Sequence, residues 1–151
     1  MSYLMAVGIT VGLLAGAWCY VAPLVSLLIP VGFLGWASYF AAGGGLGGVK
    51  SALVTNLSGV FWGVVTVFLG GLLPVVPSLV FTIVFAAIMC WQAKLPLLAF
   101  IPGTFIGNAA FYASGNDWLF TAISLVCGIG LGILSDELAK LMSKSKESKN
   151  G

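Results

Sequence analysis

The sequence predicts an all-α integral membrane protein: six transmembrane helices arranged as two inverted three-helix repeats, with helices 2 and 5 broken by proline and glycine. Three observations carry this reading. Of 151 residues, 60% are hydrophobic and only 7% are charged, whereas a soluble domain carries roughly 25% charged residues. Six apolar stretches, at about 4–22, 24–42, 52–73, 75–93, 95–114 and 118–138, each approach the ~20 residues that a helix needs to cross the hydrocarbon. The chain also repeats itself. Ile29 to Gly43 aligns with Ile101 to Gly115 at an offset of 72, and 7 of the 15 positions are identical. A three-span unit that is duplicated and fused must enter the membrane from opposite sides in its two copies. That arrangement recurs in channels and transporters, whose sites lie where the repeats meet.

The first stretch has the look of a signal-peptide core, with Ala15-Gly16-Ala17 in the place of a cleavage site. Residues 1–3 hold no lysine or arginine, which a secretory n-region requires, and Cys19 and Ala22 fall opposite Cys90 and Ala93 of the fourth stretch. It is therefore read as span 1. Ala22-Pro23 makes a tight turn into span 2, where Pro30 lies about seven residues in. A proline there strips the carbonyl of Ser26 of its helical partner, and Gly32 loosens the backbone further. The glycine run 43–48 leads to span 3, and Pro74 to Pro77 separate it from span 4. Lys94 to Pro96 open span 5, in which Pro102 and Gly103 repeat the break, this time at the carbonyl of Leu98. Gly115-Asn116-Asp117 is the turn into span 6. Repeat one is then about 4–73 and repeat two about 75–138, within a membrane domain 1–138 followed by a lysine-rich tail, 139–151.

Charge placement sets the orientation. With six spans, both termini share a side with the 2–3 and 4–5 connections. All six lysines fall there: Lys50, Lys94, Lys140, Lys144, Lys146 and Lys149. The other side carries only Asp117. Positive-inside placement puts both termini in the cytoplasm. The tail is read as a solvated anchor of topology, with contact to anionic headgroups as the alternative.

After the broken segments the second copy runs three residues shorter. Gly59-x-x-x-Gly63 then falls on Gly128-x-x-x-Gly132, and Thr55 on Ser124. Small residues spaced this way let helix backbones approach closely where no hydrophobic drive holds them together. These four glycines are expected to pack helices within or between subunits, and a homo-oligomer is expected because one small chain has little room to enclose a wide pore.

Polar side chains inside the spans are few. Asn56 and Asn108 are the most costly, since an unpaired amide in hydrocarbon costs several kcal/mol. Thr104 lies one turn before Asn108 on the same face of span 5, with Gly107 exposing backbone beside them. Gly32 and Trp36 are the matching positions in the first copy, and Phe33 and Phe105 are equivalent rings. Pro30, Gly32, Phe33, Trp36, Asn56, Pro102, Gly103, Thr104, Phe105, Gly107 and Asn108 form the candidate solute-lining set, with Phe33, Trp36, Thr104, Phe105 and Asn108 at the constriction. The competing reading makes the same hydrogen bonds glue for the bundle.

The chain has no histidine, and no Asp, Glu, Lys or Arg falls well inside a span. Intramembrane charges are the usual parts of pumps and proton-coupled carriers. Their lack points to passive movement of a small neutral or weakly polar solute. No catalytic set, metal site or cofactor is expected, and no nucleic-acid partner, since the net charge of +2 comes almost wholly from the tail. The three cysteines, Cys19, Cys90 and Cys127, are read as small buried residues. Gly43-x-Gly45-x-x-Gly48 imitates a dinucleotide motif without the strand and acidic residue that motif needs. Asn56-Leu57-Ser58 imitates a glycosylation acceptor but lies inside span 3.

Gly32-Phe33-Leu34-Gly35, Tyr39-Phe40-Ala41, Gln92-Ala93-Lys94, Ile101-Pro102-Gly103-Thr104-Phe105-Ile106-Gly107 and Gly115-Asn116-Asp117-Trp118 carry a family resemblance. In these segments the chain resembles the small bacterial inner-membrane proteins of the domain of unknown function 1097 family. The resemblance covers the six spans and leaves out the tail. Asn108 departs from it, because a small residue is expected there in some relatives. The resemblance implies a bacterial inner-membrane location and six spans, and it implies no activity. The reading is therefore a membrane channel or facilitator for a small neutral solute. The alternatives are a non-transporting assembly or regulatory component and a sodium-coupled carrier that uses backbone carbonyls.

Overall fold

The computed structural model describes residues 1–147, with side chains described through Ser143. Among these residues the chain is all helical and has six helices: α1 (Tyr3–Leu24), α2 (Ile29–Ala41), α3 (Gly45–Leu72), α4 (Ser78–Trp91), α5 (Ile101–Ala113) and α6 (Trp118–Glu147). Lys144, Lys146 and Lys149 of the tail lie outside the described side chains, while α6 itself runs on to Glu147.

The helices are not six equal spans. Three are long and apolar enough to cross a membrane: α1, α3 and α6. At 1.5 Å per residue, the 28 residues of α3 reach ~42 Å, well beyond the ~30 Å hydrocarbon core. The 13 residues of α2 and of α5 reach only ~20 Å.

The prolines explain part of the difference. Pro30 and Pro102 do not interrupt helices in mid-span, as the sequence leads one to expect. Each occupies the first turn of its helix, α2 or α5. There the missing N–H costs nothing and the fixed φ favours helix initiation. The chain before α2 turns through Ser26 at positive φ, and two short 3₁₀ turns, Gln92–Lys94 and Pro96–Leu98, precede α5. Pro23 lies within the last turn of α1 instead of ending it. At the other end of α2 the glycine run is shorter than it reads. Gly43 and Gly44 take positive φ, and Gly45 already begins α3. Asp117 starts α6, its Oδ1 accepting from the backbone amides of Leu119 and Phe120 at 3.1 Å each, which satisfies two amides that otherwise lack partners.

The long helices α3 and α6 form the centre, in contact with each other. The short helix α2 lies along α6, and α5 lies along α3. The buried stripe of α6 contains Thr121, Ser124, Leu125, Ile129, Ser135, Asp136 and Ala139 together with Gly128 and Gly132. That of α3 contains Gly48, Ala52, Thr55, Asn56, Gly59, Val60 and Gly63. Meanwhile Phe61, Phe68 and Leu72 of α3 and Leu134, Leu138 and Leu141 of α6 face outward. Small and polar residues inside, with large apolar ones outside, is the pattern of a chain whose solvent is lipid.

The two helix pairs use corresponding positions. A Cβ on Gly128 would overlap the backbone of Gly32 and Trp36, and a Cβ on Gly59 would overlap that of Thr104 and Asn108. Gly32 and Trp36 are related to Thr104 and Asn108 by the 72-residue offset, and Gly59 to Gly128 by 69. The same offsets relate Gly35, which sits on the Leu125 backbone, to Gly107, which sits on that of Asn56. They also relate Gly132 under the Tyr39 ring to Gly63 under the Phe111 ring. Gly59, Gly63, Gly128 and Gly132 are thus occupied within one chain and are not free for a contact between chains.

Cys19 and Cys90 are exposed and Cys127 is half-buried, against the expectation that all three are buried. A cysteine on a lipid-facing helix surface needs no core to hold it, because its side chain is itself weakly apolar.

Candidate functional site

The sequence-predicted residues separate into a buried scaffold and two clefts. Asn56 is fully buried on α3. Its amide lies 2.8 Å from Ser38 Oγ of α2, and with its nitrogen turned inward it also donates to Gly103 O of α5 at 2.9 Å. One amide thereby ties three helices. Thr104 is also fully buried and accepts from Gln92 Nε2 at 3.0 Å. Trp36 is buried too, with Nε1 donating to Ser135 Oγ of α6 at 3.1 Å. Gly32 is covered by the Trp18 ring and Gly103 by Thr55 and Phe100. Pro30 and Pro102 are exposed at helix starts.

Phe33 and Phe105, expected to line one constriction, line different clefts. Phe33 stacks on Trp36 at 6.1 Å between ring centroids. With Tyr3, Val7 and Phe40 the two rings line an open, apolar groove of about 500 Å³ between α1 and α2. Phe105 and Asn108 line a smaller, more enclosed cavity of about 150 Å³ between α3, α4 and α5, with Thr66, Thr82, Phe85 and Tyr112. Asn108 Nδ2 donates to Gly59 O at 3.2 Å. The Gly59 carbonyl can only accept, so this bond fixes the amide orientation and leaves Oδ1 without a partner among the described residues.

Two polar groups matter more than their place in the sequence indicates. Gln92 sits in the 3₁₀ turn after α4. Its Oε1 accepts from Ser58 Oγ and Trp62 Nε1 of α3, both at 2.9 Å, and its Nε2 donates to Thr104 of α5. Asp136 is 4% exposed, although the sequence reads as a solvated helix end there. Its carboxylate accepts from Tyr3 OH at 2.8 Å and Tyr39 OH at 2.7 Å, and it pairs with Lys140 at 2.9 Å. Tyr39 OH in turn accepts from Gly45 N at 2.9 Å. This cluster joins the start of α1, the end of α2, the start of α3 and α6. Its signal was present in the sequence: Asp136 continues the three-and-four spacing set by Gly128 and Gly132, which places it on the inner stripe.

Proteins of unknown function described as DUF1097 match residues 8–140. The chain belongs to that family. It is 40% identical to the inner membrane protein YcdZ of Escherichia coli, over 99% of each chain. It is 41% identical to the protein of the same name from Salmonella typhimurium, over 87% of this chain and 84% of the other. To the uncharacterized protein YahC of Escherichia coli it is 34% identical, over 100% of this chain and 99% of the other. No solved structure matches. This DUF1097 protein is therefore an inner-membrane protein by kinship, which agrees with its lipid-facing apolar surface.

Proposed function

We propose that this protein is a passive facilitator for a small neutral or weakly polar solute, and that the cavity between α3, α4 and α5 is where the solute is held. The observation that carries the reading is the unpartnered oxygen of Asn108 in a small, uncharged cavity walled by Phe85 and Phe105. A polar atom kept without a partner at membrane depth is costly unless water or a solute reaches it. The rest of the reading is architectural. Six crossings arranged as two inverted three-helix units, with both termini cytoplasmic, account for the paired glycine crossings and for the lysine distribution. On this view α2 and α5, together with the non-helical segments before them, make the short crossings. Residues 1–138 then form the membrane domain and 139–151 a cytoplasmic tail, and any homo-oligomer uses outer helix faces. Stopped-flow light scattering on liposomes, with water, glycerol, urea and small amides, tests the proposal. Faster flux than in empty vesicles for one solute supports it, and no enhancement for any of them removes it.

A second reading, a non-transporting structural component, draws on a specific observation. No buried side-chain nitrogen or oxygen among the described residues lacks a hydrogen bond, as a static bundle requires. Normal assembly of Asn108→Leu with no flux in either form favours that reading.

A further inference from the structure

We propose that the cavity between α3, α4 and α5 selects solutes that donate hydrogen bonds, small N–H-bearing molecules of the urea and primary-amide class, over solutes of the same shape that only accept. The inference rests on the facilitator reading for its biological use but not for its chemistry.

The donor and acceptor inventory of the wall decides it. Asn108 spends one of its two amide N–H groups on Gly59 O at 3.2 Å, so it has left one N–H and the unpartnered acceptor Oδ1. Thr66 Oγ1 donates its only proton to Trp62 O at 2.7 Å, and Thr82 Oγ1 donates to Ser78 O at 3.1 Å. A hydroxyl has one proton and two lone pairs, so both threonines present acceptors to the cavity. These three groups come from three different helices, α5, α3 and α4, and converge on a space of about 150 Å³. Besides that second Asn108 N–H, Tyr112 is the lining residue whose hydroxyl retains a proton to give; it is 45% exposed, and three acceptors therefore face two donors. Phe85 and Phe105 supply flat apolar walls, which suit a planar solute.

A site whose acceptors outnumber its donors disfavours a ligand without donors, because covering those part-exposed acceptors with no hydrogen bond in return goes uncompensated. A ligand that supplies N–H groups meets that cost. No charged side chain lines the cavity, so the class is neutral.

Urea, acetamide and acetone have nearly the same size and planar shape, with four, two and no N–H bonds. Titrating each into full-length protein in detergent, labelled with ¹⁵N-asparagine, tests the inference. The side-chain amide signal of Asn108 is the readout, assigned by its loss in Asn108→Leu. The expected result is a saturable shift with urea and acetamide, and binding at least tenfold weaker with acetone. Thr82→Val keeps the side-chain shape and removes one acceptor, so it should weaken acetamide binding about threefold or more while leaving the Asn108 signal in place. Equal binding of acetone, or no saturable shift with any of the three, overturns the inference. Selective binding without flux in liposomes leaves the acceptor wall standing and refutes only the facilitator reading.

Discussion

Adding one methyl group at Gly59 or Gly128 is the sharpest perturbation of this fold. A Cβ at Gly59 would run into the carbonyl of Thr104 and the amide of Asn108, and a Cβ at Gly128 into the carbonyl of Gly32 and the amide of Trp36. These obstacles are helix backbone and have no rotamer to escape into, so the helices themselves must separate. Overpacking a well-packed interior costs ~1–3 kcal/mol, and a backbone obstacle belongs at the upper end. Separation also weakens the Asn108 bond to Gly59 O; interhelical bonds in membranes average ~0.6 kcal/mol. Gly59→Ala should therefore destabilise by about 3 kcal/mol, and Gly128→Ala by a similar amount. At Gly12 and Gly16 an added Cβ would meet nothing within 4 Å. Alanine there should be neutral or stabilise by up to ~1 kcal/mol through helix propensity. The assay is equilibrium unfolding in mild detergent, followed by helical circular dichroism. If Gly59→Ala and Gly12→Ala unfold alike, the close crossing of α3 and α5 is wrong.

Three further outcomes are expected. Asn56→Leu leaves Ser38 without its side-chain partner and cuts the tie between α2, α3 and α5; it should lower stability by ~1–2 kcal/mol in the same unfolding assay. Tyr39→Phe removes the bonds to Asp136 and Gly45 together and should cost ~1–3 kcal/mol, while Tyr20→Phe, on an exposed residue, should cost nothing measurable. Cys19 and Cys90 should react with a membrane-permeant maleimide faster than the half-buried Cys127, as read by mass spectrometry of the intact protein.

Much of the fold was legible because its two strongest signals, apolar stretches and the internal repeat, can be read directly along the chain. Apolar stretches and turn residues located all six helices, and the offset match identified equivalent positions on helices 2 and 5 and on helices 3 and 6, but not that α2 packs on α6 and α5 on α3. Helix length was less legible. Apolarity runs unbroken through 24–42 and 95–114, so composition gave no reason to start α2 at Ile29 or α5 at Ile101. Pro30 and Pro102 marked those starts, but a proline in an apolar run reads equally as a kink or as a first turn. The site was legible one residue at a time, not as a set. Sequence spacing placed Thr104 and Asn108 on one face of α5, yet Thr104 turns into the α3 contact while Asn108 reaches the cavity, because the face is split at the crossing with Gly59. Assigning Phe33 and Phe105 to different clefts required knowing that each packs beside a different neighbour, α1 or α4. That is tertiary information. Gln92 joins α3 and α5 through bonds spanning 34, 30 and 12 residues, and no local pattern encodes them.

The measurement that tests the central claim most directly compares solute flux by wild-type protein and Asn108→Leu in liposomes of matched protein content and orientation. The facilitator account predicts that wild type accelerates acetamide or urea equilibration over empty vesicles, and that Asn108→Leu loses most of that gain while remaining folded. Equal rates for wild type, Asn108→Leu and empty vesicles would contradict it.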